Sequence, residues 1–170
     1  MEVSNSTERT PRTSARQAGL RTERRTNVKT DATTTRLAGL GGVTHAILRI
    51  GAGLLFFMHG GPKLFGWFGG MGPQGGSAEL VSLMGLAGVL EVFGGLAIAL
   101  GVFTRPVAVI LALEMLIAYF YAHAPQGPIP YANGGELALL YFFVWAFLAG
   151  NGAGRASIDR WLARRKAGAL

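Results

Sequence analysis

The 170-residue sequence contains no cysteine. It can therefore form no disulfide, no thiolate metal site and no cysteine-ligated iron–sulfur cluster, so any redox chemistry would have to use other groups. Charged residues are also few in the middle of the chain. Between residues 37 and 150 the only ones are Arg49, Lys63, Glu79, Glu91, Arg105, Glu114 and Glu136. Long apolar runs with so few charges exclude an ordinary soluble domain.

Apolar runs are absent from residues 1–36, which are rich in Thr, Ser and Arg. A segment with so little to bury cannot offset the entropy of ordering, and we predict a disordered basic tail here. The segment lacks the apolar core of a secretory signal, and its acidic residues argue against an organellar transit peptide. A start codon placed too far upstream would also account for it.

The formal net charge of +7 resides mainly in the two ends, residues 1–36 and 151–170. Basic ends beside apolar spans typically set topology and contact anionic lipid, and no base-reading motif is present. We therefore predict the lipid bilayer as a partner and no nucleic acid. Within the C-terminal tail, Ser157 to Lys166 predicts a short amphipathic helix with Ser157 as its N-cap.

Four apolar segments approach the roughly 20 residues that a helix needs to cross a hydrocarbon core about 30 Å thick. They cover about residues 43–65, 83–103, 106–122 and 134–150. Thr104-Arg105-Pro106 predicts a tight turn with Pro106 as the first helical residue, so spans two and three form a helical hairpin. The predicted fold is all-α, a bundle of four transmembrane helices within residues 37–150.

The orientation of this bundle follows from its Lys and Arg residues. They lie in the N-terminal tail, at Arg105 and in the C-terminal tail, and are absent from loops 66–82 and 123–133. An even number of spans places all three basic regions on one side, which the positive-inside rule makes cytoplasmic. We predict that both termini are cytoplasmic. Four aromatic residues then lie at the outer boundary: Trp67, Phe68, Tyr121 and Tyr131.

Ionisable residues inside the spans each need a partner, a water-filled cavity or a function, because a charge near the bilayer centre costs a few kcal/mol. Arg49, His59 and Lys63 share one helical face, which should point inward. Around Glu91 lies a strip of small residues that would let another helix approach the carboxylate closely. The strip consists of Gly88, Gly94 and Gly95.

Depth along the helices predicts two layers. Arg49 lies about 9 Å and Glu114 about 12 Å from the inner boundary, counted at 1.5 Å per residue. We expect Arg49 to pair with Glu114 or Glu91, and His59, Lys63 and Glu136 to gather near the outer face. One acid is then left without a cation and could be protonated, pair with a charged His59 or exchange protons.

Each of these residues also has a structural interpretation. Arg49 and Glu114 would hold the bundle together as an ion pair whatever its use, and Lys63 could extend to outer headgroups. Glu136 fits a capping role after Asn133. His59 precedes Gly60-Gly61-Pro62, which indicates a helix boundary as readily as a proton carrier. Haem ligation by His59 and His123 is weakly supported, and no other metal site is predicted.

Several motifs together resemble the DoxX family of small four-helix membrane proteins, over nearly all of residues 48–162. They are Leu48-Arg-Ile-Gly, Phe57-Met-His-Gly-Gly-Pro-Lys-Leu-Phe, Glu91-Val-Phe-Gly-Gly-Leu, Leu100-Gly-Val-Phe-Thr-Arg, Asn133-Gly-Gly-Glu-Leu-Ala-Leu-Leu-Tyr and Gly154-Arg-Ala-Ser-Ile-Asp. The resemblance implies a protein of the plasma (inner) membrane. It also implies a connection with quinone-linked redox complexes, including the small subunit of a thiosulfate:quinone oxidoreductase, and with oxidative-stress assemblies.

Two functions follow as hypotheses. In the first, the chain is a quinone-interacting or accessory subunit of a membrane oxidoreductase, non-catalytic by itself, with His59, Lys63 and Glu91 contacting the quinone oxygens. Because cysteine is absent, such a role requires a redox partner subunit. In the second, the chain is a non-enzymatic scaffold or small-solute carrier whose intramembrane ion pairs are structural. The sequence identifies no substrate and leaves a homo-oligomer open.

Overall fold

A computed structural model describes the backbone of residues 12–73 and 75–168, and the side chains of residues 39–73 and 75–168. Every regular element in these ranges is helical, and none is a strand. We number five helices: α1 (Arg12–Phe65), α2 (Leu83–Leu100), α3 (Thr104–Gln126), α4 (Glu136–Asn151) and α5 (Ile158–Gly168). The all-α prediction is confirmed.

The chain divides into two compact units, Met1–Gly41 and Gly42–Leu170. In the first unit, residues 12–36 are helical, where composition predicts a disordered tail. Residues 1–11 lie outside the described residues.

Three described helices are long and apolar enough to cross a membrane: Gly39–Phe65, Leu83–Leu100 and Thr104–Gln126. The fourth apolar helix, α4, is shorter at 16 residues. Burial inside the protein covers 17%, 39% and 28% of one apolar 18-residue stretch in each of the three spans, so most side chains there face outward. Outward apolar surface on this scale suits lipid, and the protein is a membrane protein.

The turn between α2 and α3 differs in detail from the prediction. Helix α2 ends at Leu100, and Gly101 and Phe103 adopt left-handed conformations with φ of 70° and 46°. Helix α3 therefore begins at Thr104, and Pro106 is its third residue. Proline is tolerated there because the amides of the first turn have no carbonyl partner within the helix.

The core of this unit is an aromatic and aliphatic layer between α1, α2, α3 and α4. Phe56 and Trp145 are fully buried, with ring centroids 5.1 Å apart, and Tyr141 stacks on Trp145 at 5.5 Å. Leu111 and Ile98 are also fully buried in this layer. A packed aromatic cluster fixes the helices that carry the ionisable residues.

Helices α1 and α2 touch backbone to backbone through glycines. A Cβ atom added to Gly53 would lie 2.7 Å from the backbone N of Ala99 and 2.7 Å from the carbonyl O of Gly95. One added to Gly60 would lie 2.9 Å from the Cβ of Glu91. Of the predicted strip around Glu91, Gly88 and Gly95 meet α1, at Lys63 and Phe57, whereas Gly94 meets Leu111 of α3.

We name the two ends of the bundle after the segments that connect the helices there. The turn end comprises residues 101–103, between α2 and α3, and residues 152–157, between α4 and α5. The loop end comprises residues 66–82 and 127–135. At the turn end the Ser157 Oγ accepts a hydrogen bond from the Arg160 backbone N at 3.2 Å. Ser157 therefore caps α5, as predicted.

Candidate functional site: a cavity with a buried ion pair

Lys63 of α1 and Glu91 of α2 form an ion pair inside the bundle. The Lys63 Nζ lies 2.5 Å from the Glu91 Oε1, and the side chains are 17% and 1% exposed. The remaining oxygen, Glu91 Oε2, is buried and accepts no hydrogen bond from any described residue. The carboxylate thus has one oxygen held by a cation and one oxygen without a donor.

Local backbone structure explains how this pair forms. Glu91 lies in a π-helical turn, Leu90–Gly94, which interrupts the α-helical pattern of α2. Such turns insert one extra residue into a helix and often occur at functional sites. On α1, the helix continues through Pro62 to Phe65, so Gly60-Gly61-Pro62 does not end it. A Cβ added to Gly88 would lie 2.9 Å from the Lys63 Cβ, so the glycine makes room for the lysine.

Glu114 of α3 is the second buried carboxyl group. Both of its oxygens are buried, and neither has a hydrogen-bond partner among residues 39–73 and 75–168. A carboxylate buried without a partner is costly, so this environment favours the neutral acid. Glu114 and the exposed Glu136 both lack an ion-pair partner among the described residues, where one such acid was expected.

The ion pair predicted between Arg49 and Glu114 or Glu91 is not formed. Arg49 is 1% exposed and donates from Nη1 to the carbonyls of Ile98 and Ala99, each at 2.5 Å. Its Nη2 donates to the Ala156 carbonyl at 2.5 Å. The last carbonyls of a helix have no amide donor one turn further along it, so they can accept from a guanidinium. The Ile98 carbonyl also accepts from the Gly101 backbone N at 3.0 Å. Arg49 therefore ties α1 to the turn end.

Asp159 completes the turn end, and reasoning from the residues alone did not identify it. Its Oδ1 accepts from the Phe103 backbone N at 2.9 Å and its Oδ2 from the Thr104 backbone N at 3.0 Å. It thus caps α3 from a different helix, and its charge attracts that of Arg49. The sequence feature that could have pointed to Asp159 is its position in the motif Gly154-Arg-Ala-Ser-Ile-Asp.

The ion pair and Glu114 line one cavity of about 560 Å³ between α1, α2, α3 and α4. Most of the lining is apolar, with Met84, Leu86, Ile110, Leu113, Met115, Ile117 and Leu137 among its residues. The polar or titratable lining residues are His59, Lys63, Glu91, Glu114, Tyr121, His123 and Tyr141. An apolar cavity of this volume with a few convergent polar groups is typical of a small-molecule site.

Of the two other predicted site residues, His59 lines the cavity and Glu136 does not. His59 lines it but is itself exposed, so it lies at the mouth. Glu136 is exposed and does not line the cavity, and its gathering with His59 and Lys63 near the outer face stays a prediction. Helix α4 begins at Glu136 with Gly135 as its N-cap, and Asn133 Oδ1 accepts from the Gly135 N at 2.8 Å.

A second π-helical turn, Tyr119–His123 in α3, borders the same cavity. It contributes Tyr121, Ala122 and His123 to the lining. The His123 Nδ1 lies 3.1 Å from the Asn133 carbonyl O, which fixes the ring against the loop end. Both π-helical turns of the long helices therefore lie beside the cavity. The helical spacing of the sequence predicts neither turn.

Comparison with known proteins agrees with this architecture. The DoxX family profile matches residues 44–124. An uncharacterized protein of Haemophilus influenzae is 41% identical over 121 residues, covering 67% of this chain and 87% of the relative. No solved structure matches the chain. The matched region carries Arg49, Lys63, Glu91 and Glu114, and the chain belongs to the DoxX family.

Proposed function

We propose that the chain is a quinone-interacting accessory subunit of a membrane oxidoreductase complex. The observation that carries the proposal is the apolar cavity lined by the Lys63–Glu91 pair and by Glu114, whose oxygens have no partner among the described residues. An apolar cavity bordered by lipid-facing helices suits a ligand that is itself dissolved in the bilayer.

The size and lining of the cavity fit a quinone head group. A volume of about 560 Å³ lies within the range of small-molecule sites. Tyr141, stacked on the fully buried Trp145, gives the cavity a rigid aromatic wall. Glu114, which has no partner among the described residues, carries in its neutral form one hydroxyl that could donate to a quinone carbonyl oxygen.

A bound quinone would supply two-electron, two-proton redox chemistry. The chain would hold the quinone in position and exchange protons with it. In this proposal Lys63 keeps Glu91 charged and fixed, because separating a buried pair is costly. Glu114, without a cation, is the group that holds a proton next to the ligand. His59 at the mouth exchanges protons with the exterior, and a partner subunit provides the electron donor or acceptor.

The proposal includes the topology. Helix α4 is about 24 Å long at 1.5 Å per residue, so it crosses as a fourth span where the bilayer thins locally. The basic residues then lie on one side, and both termini are cytoplasmic in the plasma membrane. This orientation places the cavity near the outer half of the membrane and Arg49 near the inner half.

The test is quinone binding by purified protein, alone and with any subunit that co-purifies. Quinone is extracted and quantified from wild type, Glu91→Gln and Glu114→Gln. Glu136→Gln is the matched control because its carboxylate is exposed outside the cavity. We expect stoichiometric quinone in wild type and control, and at least tenfold less in both cavity variants. Absence of quinone from wild type that retains its helical content and thermal transition refutes the proposal.

A non-enzymatic scaffold is the second candidate, and the turn end favours it. Arg49 and Asp159 interact with backbone groups there, as purely structural residues do. In a scaffold, the Lys63–Glu91 pair would serve only to hold the helices of the bundle together. Unchanged partner co-purification and cell phenotype in well-folded Glu114→Gln would support the scaffold over the quinone subunit.

A further inference from the structure

Helices α2 and α3 pack closely in the half of their hairpin that lies nearer the turn end. A Cβ atom added to Gly94 would lie 2.7 Å from the Leu111 Cδ2, and Leu111 is fully buried. The close backbone approaches between the two helices lie mostly in the part of α2 from Leu90 to Leu100. The missing side chain at Gly94 therefore lets α3 come near, as small residues do between transmembrane helices.

Nearer the loop end, the same two helices do not bury each other. Cavity-lining leucines and isoleucines recur there three and four residues apart, so each set lies on one helix face. The set of α2 is Leu83, Leu86 and Leu90, and the set of α3 is Ile110, Leu113 and Ile117. Leu86 is 54%, Leu113 55% and Ile117 57% exposed. Two helix faces that line one cavity and yet remain exposed enclose an open cleft.

This cleft, between residues 83–90 of α2 and 110–117 of α3, opens toward lipid. Both helices are long and apolar enough to cross a membrane, and the side chains along the cleft are mainly aliphatic. A gap between two such helices leaves the side chains on its walls without packing partners, and an apolar chain in the gap supplies them. The cleft therefore suits a hydrocarbon chain.

The inner end of the cavity differs from the cleft. It is lined by the ion pair, in which Lys63 is 17% and Glu91 1% exposed, and by the buried Tyr141 of α4. A ligand with a polar head group and an apolar tail matches this change along the cavity. A phospholipid acyl chain that filled the cavity would instead place hydrocarbon against the ion pair.

We infer that the cleft between α2 and α3 holds the apolar tail of the ligand whose head group lies in the cavity. The inference rests on the proposed function and adds that its quinone carries a hydrocarbon tail recognised by this chain. A tail tethered to a bound head group has a high effective concentration in the cleft, which favours it over the acyl chains of the bilayer.

The experiment compares a benzoquinone that carries a decyl tail with the same benzoquinone carrying a methyl group instead, bound to full-length protein in lipid nanodiscs. Concentrations are expressed per lipid, which corrects for the different partitioning of the two quinones. We expect wild type to bind the decyl form at least about fivefold more tightly. Leu86→Trp and Leu113→Trp fill the cleft from its two walls and should reduce this ratio to below about twofold. Leu96→Trp is the matched control, because Leu96 is exposed on α2 but does not line the cavity.

The outcomes separate the inference from the proposed function. Equal affinity of wild type for the two quinones overturns the tail site and leaves the quinone-subunit proposal standing. An unchanged ratio in folded Leu86→Trp and Leu113→Trp, or an equal loss in the Leu96→Trp control, shows that the tail lies elsewhere and also overturns the inference. Binding of neither quinone by folded wild type overturns the proposed function, and the inference with it.

Discussion

The Lys63 Nζ lies 2.5 Å from the Glu91 Oε1, and the carboxylate side chain is 1% exposed. The two residues belong to different helices, which the glycine contacts hold together at Gly60 and Gly88. A charge buried this completely depends on its partner, because the desolvation cost remains when the partner is removed. The ion pair is therefore a single unit in energetic terms.

Removing one member of the pair should destabilise the protein more than removing both. Lys63→Met leaves Glu91 buried and unpaired, and we expect a loss of about 3–5 kcal/mol in the free energy of unfolding. The double variant Lys63→Met/Glu91→Gln should recover at least half of this loss. Urea or SDS titration in mixed micelles measures the cycle. Additive single effects would mean that the two side chains do not interact.

The contact between α1 and α2 should tolerate no side chain at Gly53. A Cβ there would lie 2.7 Å from two backbone atoms, which cannot move aside as a side chain can. We expect Gly53→Ala to cost about 1–3 kcal/mol. Gly51→Ala on the same helix is the control, since a Cβ there meets no atom within 4 Å. Equal thermal transitions for the two variants would contradict the close approach.

The helices and the glycine strip could be predicted from the sequence because both depend on local patterns. The first span ends at Phe65 and the second begins at Leu83, as hydropathy and Gly/Pro-rich loops indicated. The glycines around Glu91 indicated a close neighbouring helix, and α1 contacts Gly88 and Gly95. Length and spacing are sufficient for such conclusions.

The partners of the charged residues could not be predicted in this way. Depth was counted along the backbone, which placed Lys63 well outside Glu91. Side chains on a helix point toward its N-terminus, and for Lys63 that direction leads back into the bundle. Arg49 donates to backbone carbonyls at the end of α2, and which carbonyls lie within its reach depends on where that helix ends in three dimensions.

Arg49 and Glu114 should behave as independent residues. Arg49→Met removes three hydrogen bonds to backbone carbonyls and should destabilise the protein by about 3 kcal/mol or more. Arg49→Lys should recover little, because one ammonium group cannot reproduce the planar guanidinium geometry. In a double-mutant cycle with Glu114→Gln, we expect a coupling energy below about 0.5 kcal/mol. A coupling energy above about 1 kcal/mol would support the ion pair between Arg49 and Glu114 that was predicted from the sequence.

The absence of cysteine makes the topology directly testable by single-cysteine labelling. Ser77→Cys and Ala132→Cys place an exposed thiol in each connection of the loop end, and Ala167→Cys places one in α5. With four crossings and a cytoplasmic C-terminus, a membrane-impermeant maleimide should label positions 77 and 132 in intact cells. Position 167 should react only after permeabilisation. If α4, at about 24 Å, failed to cross, positions 132 and 167 would react from the same side, and that result would reduce the bundle to three spans.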